Sequence, residues 1–64
     1  MKVREMVRII ERDGWRWIAT RGSHRQFRHP WKPGKVTVPG SMTDDLHLDT
    51  YRSILRQAGL RGRP

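Results

Sequence analysis

Val3, Met6, Val7 and Ile10 recur at the i, i+3, i+4, i+7 spacing of a helix with one apolar stripe. Gly14 follows where a left-handed cap would end such a helix, and Trp15 is placed to fold back onto it. The pattern predicts a first helix over residues 3–13, with Ile9 off the apolar arc and exposed. From Trp15 the period changes to two. Trp15, Trp17 and Ala19 alternate with Arg16, Ile18 and Thr20, which predicts a strand. Arg21-Gly22-Ser23 reads as a turn, because Gly22 accepts a positive φ at little cost. A second strand is expected from His24 to His29, ended by Pro30.

The same alternation constrains the hairpin register. A two-residue turn would set Phe27 opposite Arg16, on the face away from the tryptophans. A three-residue loop with a glycine bulge instead puts Trp15, Trp17, Ala19, Phe27 and His29 on one face. The second register is preferred because it gives the sheet one apolar side. Arg16, Ile18, Thr20, His24, Gln26 and Arg28 then share the other side, where Ile18 fits poorly.

Trp31-Lys32-Pro33-Gly34 reads as a turn. Lys35 to Val38 reads as a short third strand, with Val36 and Val38 inward and Pro39-Gly40 at its end. An irregular loop is expected over residues 40–48. Asp49 or Thr50 would cap a second helix, whose apolar stripe is Tyr51, Ile54, Leu55 and Ala58. Gly59-Leu60 repeats the stop at Gly14-Trp15, and residues 61–64 are expected to fray. The predicted class is α+β, in the order α-β-β-β-α. Two helices would lie on one face of a three-stranded antiparallel sheet, leaving the other face open. Residues 1–64 are expected to form a single domain. A chain of this length buries only about 60% of its unfolded surface, so a shallow surface site is expected rather than a deep pocket.

Charge adds a partner class. Fourteen Lys and Arg against six Asp and Glu give a net charge of +8, with an isoelectric point near 11.6. Such a balance suits a polyanion: nucleic acid, an anionic membrane surface or an acidic protein. No apolar run approaches the roughly 20 residues of a membrane span, and the N-terminal stretch lacks a signal-peptide core, so a cytoplasmic protein is expected. Residues 1–35 carry ten basic and three acidic groups, whereas residues 36–51 carry Asp44, Asp45 and Asp49 and no Lys or Arg. The absence of cysteine removes disulfides and thiolate zinc sites and fits a reducing compartment.

Few residues are placed to do chemistry. His24, His29 and His47 are not at a metal-ligand spacing, and capping and a solvated loop explain Asp44, Asp45 and Asp49 more simply than a cation does. Ser23 adjoins His24, but strand neighbours point to opposite faces, so a Ser-His pair is not formed. His24 itself is of interest. RNA carries its own nucleophile, the 2′-hydroxyl beside each phosphate. A ribonuclease therefore needs a group that moves a proton near neutral pH, and histidine has a reference pKa of roughly 6.5. It also needs cations for the extra phosphoryl charge. Arg16, Gln26 and Arg28 share the expected face of His24, with Arg21, Gly22, Ser23, Arg25 and Lys35 nearby as RNA contacts. A solvated strand histidine is the plainer alternative. Arg4, Arg8 and Arg12 form a like-charged i, i+4 ladder that reads as a solvated face or as a phosphate or acidic-partner contact. Trp15 and Trp17 are read as core residues rather than base-stacking platforms.

Two stretches resemble the HicA family of toxins: Gly22-Ser23-His24-Arg25-Gln26-Phe27-Arg28-His29-Pro30, and Lys32-Pro33-Gly34-Lys35-Val36-Thr37-Val38-Pro39. Asp13-Gly14-Trp15 is similar to that family's first helix-to-strand junction, and Tyr51 to Leu60 to its closing helix. The resemblance covers nearly the whole chain in order. It implies a fold like the double-stranded RNA-binding domain and a translation-independent mRNA interferase. The histidine of the Gly-Ser-His turn, here His24, is required in that family. It further implies a cognate HicB antitoxin that binds and masks the toxin. Some relatives carry a histidine directly after the third strand's proline, where this chain has Gly40.

The expected function is thus the toxin of a type II toxin–antitoxin pair, an endoribonuclease acting on mRNA with His24 as general acid or base and no cofactor. If the 2′-hydroxyl attacks, the products end in 2′,3′-cyclic phosphate and 5′-hydroxyl. The alternatives are a noncatalytic double-stranded RNA-binding module and a small DNA-binding protein.

Overall fold

The structure is a computed structural model that describes residues 1–60; the expected fray at 61–64 lies outside the described residues. Helix α1 spans Val3–Arg12, strands β1, β2 and β3 span Arg16–Arg21, His24–Arg28 and Val36–Val38, and helix α2 spans Leu48–Gln57. The strands form one antiparallel sheet in the order β1-β2-β3. Val3, Met6, Val7 and Ile10 of α1, Ile54 and Leu55 of α2 and Ala58 just beyond it meet Trp15, Phe27, Val36 and Val38 in one core. This is the α-β-β-β-α architecture of the double-stranded RNA-binding domain. Ile9 differs from expectation: it is half-buried against that core, filling its margin beside Ile10.

Both helix stops form as the sequence predicts. The Trp15 amide donates to the Ile10 carbonyl at 3.1 Å and the Leu60 amide to the Leu55 carbonyl at 2.8 Å, each reaching back over a glycine of positive φ. The start of α2 differs. His47, not Asp49 or Thr50, is its N-cap residue, and no side chain bonds the free amides there. Asp49 and Thr50 fall inside the first turn, where Asp49 still complements the helix dipole. The loop after β3 also does more than connect. Val3 and Arg4 amides donate to the Asp44 and Met42 carbonyls at 2.9 and 3.0 Å, and the Leu46 amide to the Met1 carbonyl at 2.9 Å. It thereby satisfies the first amides of α1, which no intrahelical partner can reach.

The hairpin reaches its apolar register by a different route. Arg21 pairs with His24, so Gly22-Ser23 is a two-residue turn, with Gly22 at φ +57° in its first position. The extra residue lies instead at Ile18, where the ladder steps from Trp17↔Phe27 to Ala19↔Gln26. An offset of one residue anywhere between Trp17 and Phe27 restores the same parity, so Trp17 shares the Phe27 face as expected. Beyond the bulge the faces exchange. Ala19 joins the outer face beside Gln26, and Thr20 joins the inner face opposite Arg25, where it accepts a 2.8 Å hydrogen bond from the Trp17 indole. Trp15 is buried, with its indole reaching the Ala58 carbonyl at 3.3 Å. Trp17 is only a partial core residue: it is 45% exposed at the β1 edge, its ring 6.0 Å from that of Phe27.

Candidate functional site

His24 opens β2 directly across from Arg21, and residues paired across a ladder share a face. Phe27 and Arg25 point into the core side, so alternation turns His24, Gln26 and Arg28 outward. The pairing adds Arg21 beside His24, Ala19 and Thr37 beside Gln26, and Arg16 beside Arg28. Exposed Gly22 and Ser23 form the turn next to His24, and exposed Lys35 precedes β3. Arg28 also donates to the Gly34 carbonyl at 3.3 Å. The outer face therefore gathers His24, Arg16, Arg21, Gln26 and Arg28, with Gly22, Ser23 and Lys35 at its ends.

Arg25 is elsewhere. It lies on the inner face, 9% exposed, and donates to the Gly40 carbonyl at 2.5 Å and the Ser23 carbonyl at 3.4 Å. Its guanidinium lies 5.6 Å from the centroid of the Trp17 ring. It ties β2 to the turn after β3 and does not reach the face where RNA contact was expected. The alternation along β2 carried this signal: Arg25 has the parity of Phe27.

His24 does not stand on an empty surface. It lines an open groove of about 360 Å3 with Thr37 and Pro39, whose far wall is Asp49, Thr50, Ser53, Ile54 and Gln57 of α2. Asp49, Ser53 and Gln57 recur every fourth residue and so share one side of the helix. Gln57 fixes this wall against the sheet: its Oε1 accepts from the Thr37 amide at 2.9 Å, and its Nε2 donates to Ser53 Oγ at 3.2 Å. The polar side of α2 thus closes the β3 edge and overlooks His24. By sequence alone Asp49 and Thr50 fit capping, and no motif marks Thr37, Ser53 and Gln57 as site residues. Their fourfold spacing was visible; their nearness to His24 depends on where α2 docks.

The other histidines are built differently. His29 is buried between Trp15 and Trp31, edge-on to both rings. Its Nδ1 lies 3.2 Å from both the Trp31 and Lys32 amides, which donate to it. Nε2 must then carry the proton that it donates to the Asp13 carbonyl at 2.6 Å. His47 is exposed and lines a smaller neighbouring groove with Asp44, Asp45 and Thr50. Beside it, Lys2 pairs with Asp45 at 3.1 Å and, through that hydrogen bond and its charge, holds the carboxyl below the usual aspartate value. Arg4, Arg8 and Arg12 are exposed on α1.

Fold and site together define a small α+β domain of double-stranded RNA-binding type, with a basic outer sheet face and a histidine at a groove. Residues 3–60 match the family model of the HicA toxin of bacterial toxin–antitoxin systems. The chain belongs to the HicA toxin family and is the toxin component of such a pair, which has an antitoxin as its partner. No curated protein matches the chain.

Proposed function

We propose that this toxin is a metal-independent endoribonuclease that cuts mRNA with His24 as general acid or base. The observation that carries this reading is the placement of an exposed imidazole beside Arg21, at the mouth of a groove on a cationic face. The RNA 2′-oxygen attacks the adjacent phosphorus as its proton is withdrawn, the O2′–P bond forms, and the P–O5′ bond breaks with a proton delivered to the departing oxygen. His24 moves one of these protons, a task worth about 10²–10⁴-fold in rate. Arg21 offsets the charge on the phosphoryl oxygens. Arg16, Arg28 and Lys35 follow the backbone, Gln26 offers its amide, and exposed Gly22 and Ser23 leave room for RNA beside His24. RNA supplies the nucleophile, so this route needs no cofactor.

The reading also places the protein in the cytoplasm, where a HicB-type antitoxin would mask the cationic face. Among the described residues, no helix is long and apolar enough to cross a membrane. Cleavage of a defined RNA in EDTA tests the proposal. Wild type should yield 2′,3′-cyclic phosphate and 5′-hydroxyl ends, and His24→Ala should lose the activity. Cleavage unchanged in the variant rejects the role of His24, 5′-phosphate ends reject the attack by the 2′-hydroxyl, and RNA binding without cleavage by wild type indicates a noncatalytic binding module.

A further inference from the structure

The groove beside His24 has two walls of opposite chemistry. The sheet wall continues into Arg21, Arg16 and Arg28, while the helix wall presents Asp49. A carboxylate on the path of a polyanion repels phosphate, so the backbone belongs over the sheet and a phosphate-free part of the ligand belongs against α2. At about 360 Å3 the groove is near the lower end of the roughly 300–1,000 Å3 range of small-ligand pockets. It is open and shallow, fit for one unpaired nucleotide. Half-buried Pro39 supplies apolar surface for the plane of a base, and buried Ile54 lies beneath the groove floor.

The polar groups on the helix wall have defined roles. Ser53 Oγ accepts from Gln57 Nε2, which leaves its own proton to donate. Asp49, one turn away, only accepts when ionised, through two oxygens. A base that satisfies both must present an acceptor toward Ser53 and donors toward Asp49. Guanine does so along its Watson–Crick edge, where O6 adjoins N1–H and N2–H2, two neighbouring donors for one carboxylate. Adenine and cytosine offer only one amino group there, and uracil places carbonyl oxygens on both sides of its single N–H. We infer that the groove between β3 and α2 is a base-reading site that selects guanine, with Asp49 and Ser53 as specificity-determining residues next to His24. The inference rests on the reading of the outer face as an RNA site.

Binding tests this separately from cleavage. His24→Ala protein, confirmed as folded by circular dichroism, is titrated with four trinucleotides that differ only in the central base, and backbone amide shifts are followed by NMR. The guanine trinucleotide should bind on the order of ten-fold more tightly than the uracil one, since a good bidentate base contact discriminates by about that much or more. Its shifts should centre on Thr37, Asp49 and Ser53. Asp49→Asn, in the same background, should abolish the preference while leaving weak binding to all four. Ser53→Ala, which leaves the first turn of α2 untouched, should reduce it less. Equal affinities, a preference that survives Asp49→Asn, shifts confined to the sheet face, or no binding overturns the inference. A guanine preference in a protein whose wild type does not cut RNA would retain the groove assignment and reject the catalytic one. Cleavage by wild type without any base preference would do the reverse.

Discussion

The two histidines at the ends of β2 have the same side chain and opposite settings. His24 begins the strand on the outer face, exposed, beside Arg21 and at an open groove. His29 follows the strand at the other end, buried, with both ring nitrogens bonded to backbone. Around His29 the chain locks together. Lys32 pairs with Asp13 and donates to the Ala58 carbonyl at 3.1 Å, joining the ends of both helices to the β2–β3 connection. A ring so committed cannot move a substrate proton without losing its place in the fold. A ring left open can, and contributes little to holding the fold. One end of β2 is locked into the fold, and the other leaves its imidazole exposed at the groove.

The largest expected effects separate these roles directly. His24→Ala should lower RNA cleavage by about 10²–10⁴-fold, the usual contribution of a general acid–base group, with thermal unfolding almost unchanged. His29→Ala should do the converse. It strands the Asp13 carbonyl and two amides and opens a gap between two tryptophans, at a cost of about 3 kcal/mol. Against a total stability of order 5 kcal/mol for so small a domain, about 2 kcal/mol would remain, and Tm should fall by roughly 12–24 °C. Calorimetry and a cleavage assay on the same two variants check both. Loss of stability in the first, or of activity alone in the second, would dissolve the distinction.

Gly14→Ala should resemble His29→Ala without removing the imidazole. A Cβ at Gly14 would lie 2.6 Å from His29 Nε2, and its φ of +104° already disfavours any side chain. The strain alone is worth about 1–2 kcal/mol, and displacement of the ring adds to it. A domain of this size loses roughly 4–8 °C in Tm per kcal/mol, so a melting curve suffices. A Tm within 2 °C or so of wild type, less than half a kcal/mol on that scale, would mean that the His29 lock is looser than its geometry implies.

Arg21 and Arg25 give a subtler version of the same test. Arg21→Ala should reduce cleavage while sparing Tm, because the side chain is exposed beside His24. Arg25→Ala should lower Tm, because it removes the donor to the Gly40 carbonyl and the cation over Trp17. A hydrogen bond from a charged donor is worth about 1.5–3 kcal/mol. At a temperature where both variants are folded, Arg25→Ala should cut RNA nearly as well as wild type.

Periodicity made much of this readable in advance. The stripes of both helices, their glycine stops and the apolar register of Trp17 and Phe27 follow from spacing alone, since each depends on neighbours within a few residues. Parity required one extra residue between Trp17 and Phe27 but could not locate it: a bulge at Ile18 and a bulge in the turn give the same register at the far end. The misplaced bulge in turn misassigned Ala19 and Thr20. The outward face of His24 was legible from alternation. The helix wall facing it was not, because Thr37 and Gln57 are twenty residues apart and their bond forms only after α2 has docked on β3. Long-range docking of this kind leaves no local periodic trace.

The smallest expected effect lies outside both ends of β2, at the pair of Lys2 and Asp45 that fastens the loop to the start of α1. Lys2 lowers the Asp45 carboxyl from its ordinary 3.8. A carboxyl depressed by folding stabilises the folded state at pH values above its unfolded pKa. That contribution is lost as pH falls through the lower, folded value. Asp45→Asn should therefore be slightly less stable than wild type at pH 6, and the two should converge in acid as pH falls below 3.8 and through the lower folded value, where wild-type Asp45 also becomes neutral. The pair is exposed, so 1 M salt should shrink the gap at pH 6 as well. The backbone bonds from Val3, Arg4 and Leu46 remain in the variant, and they keep the effect small. A gap that persists in acid would mean that Asp45 holds the loop by something other than its charge.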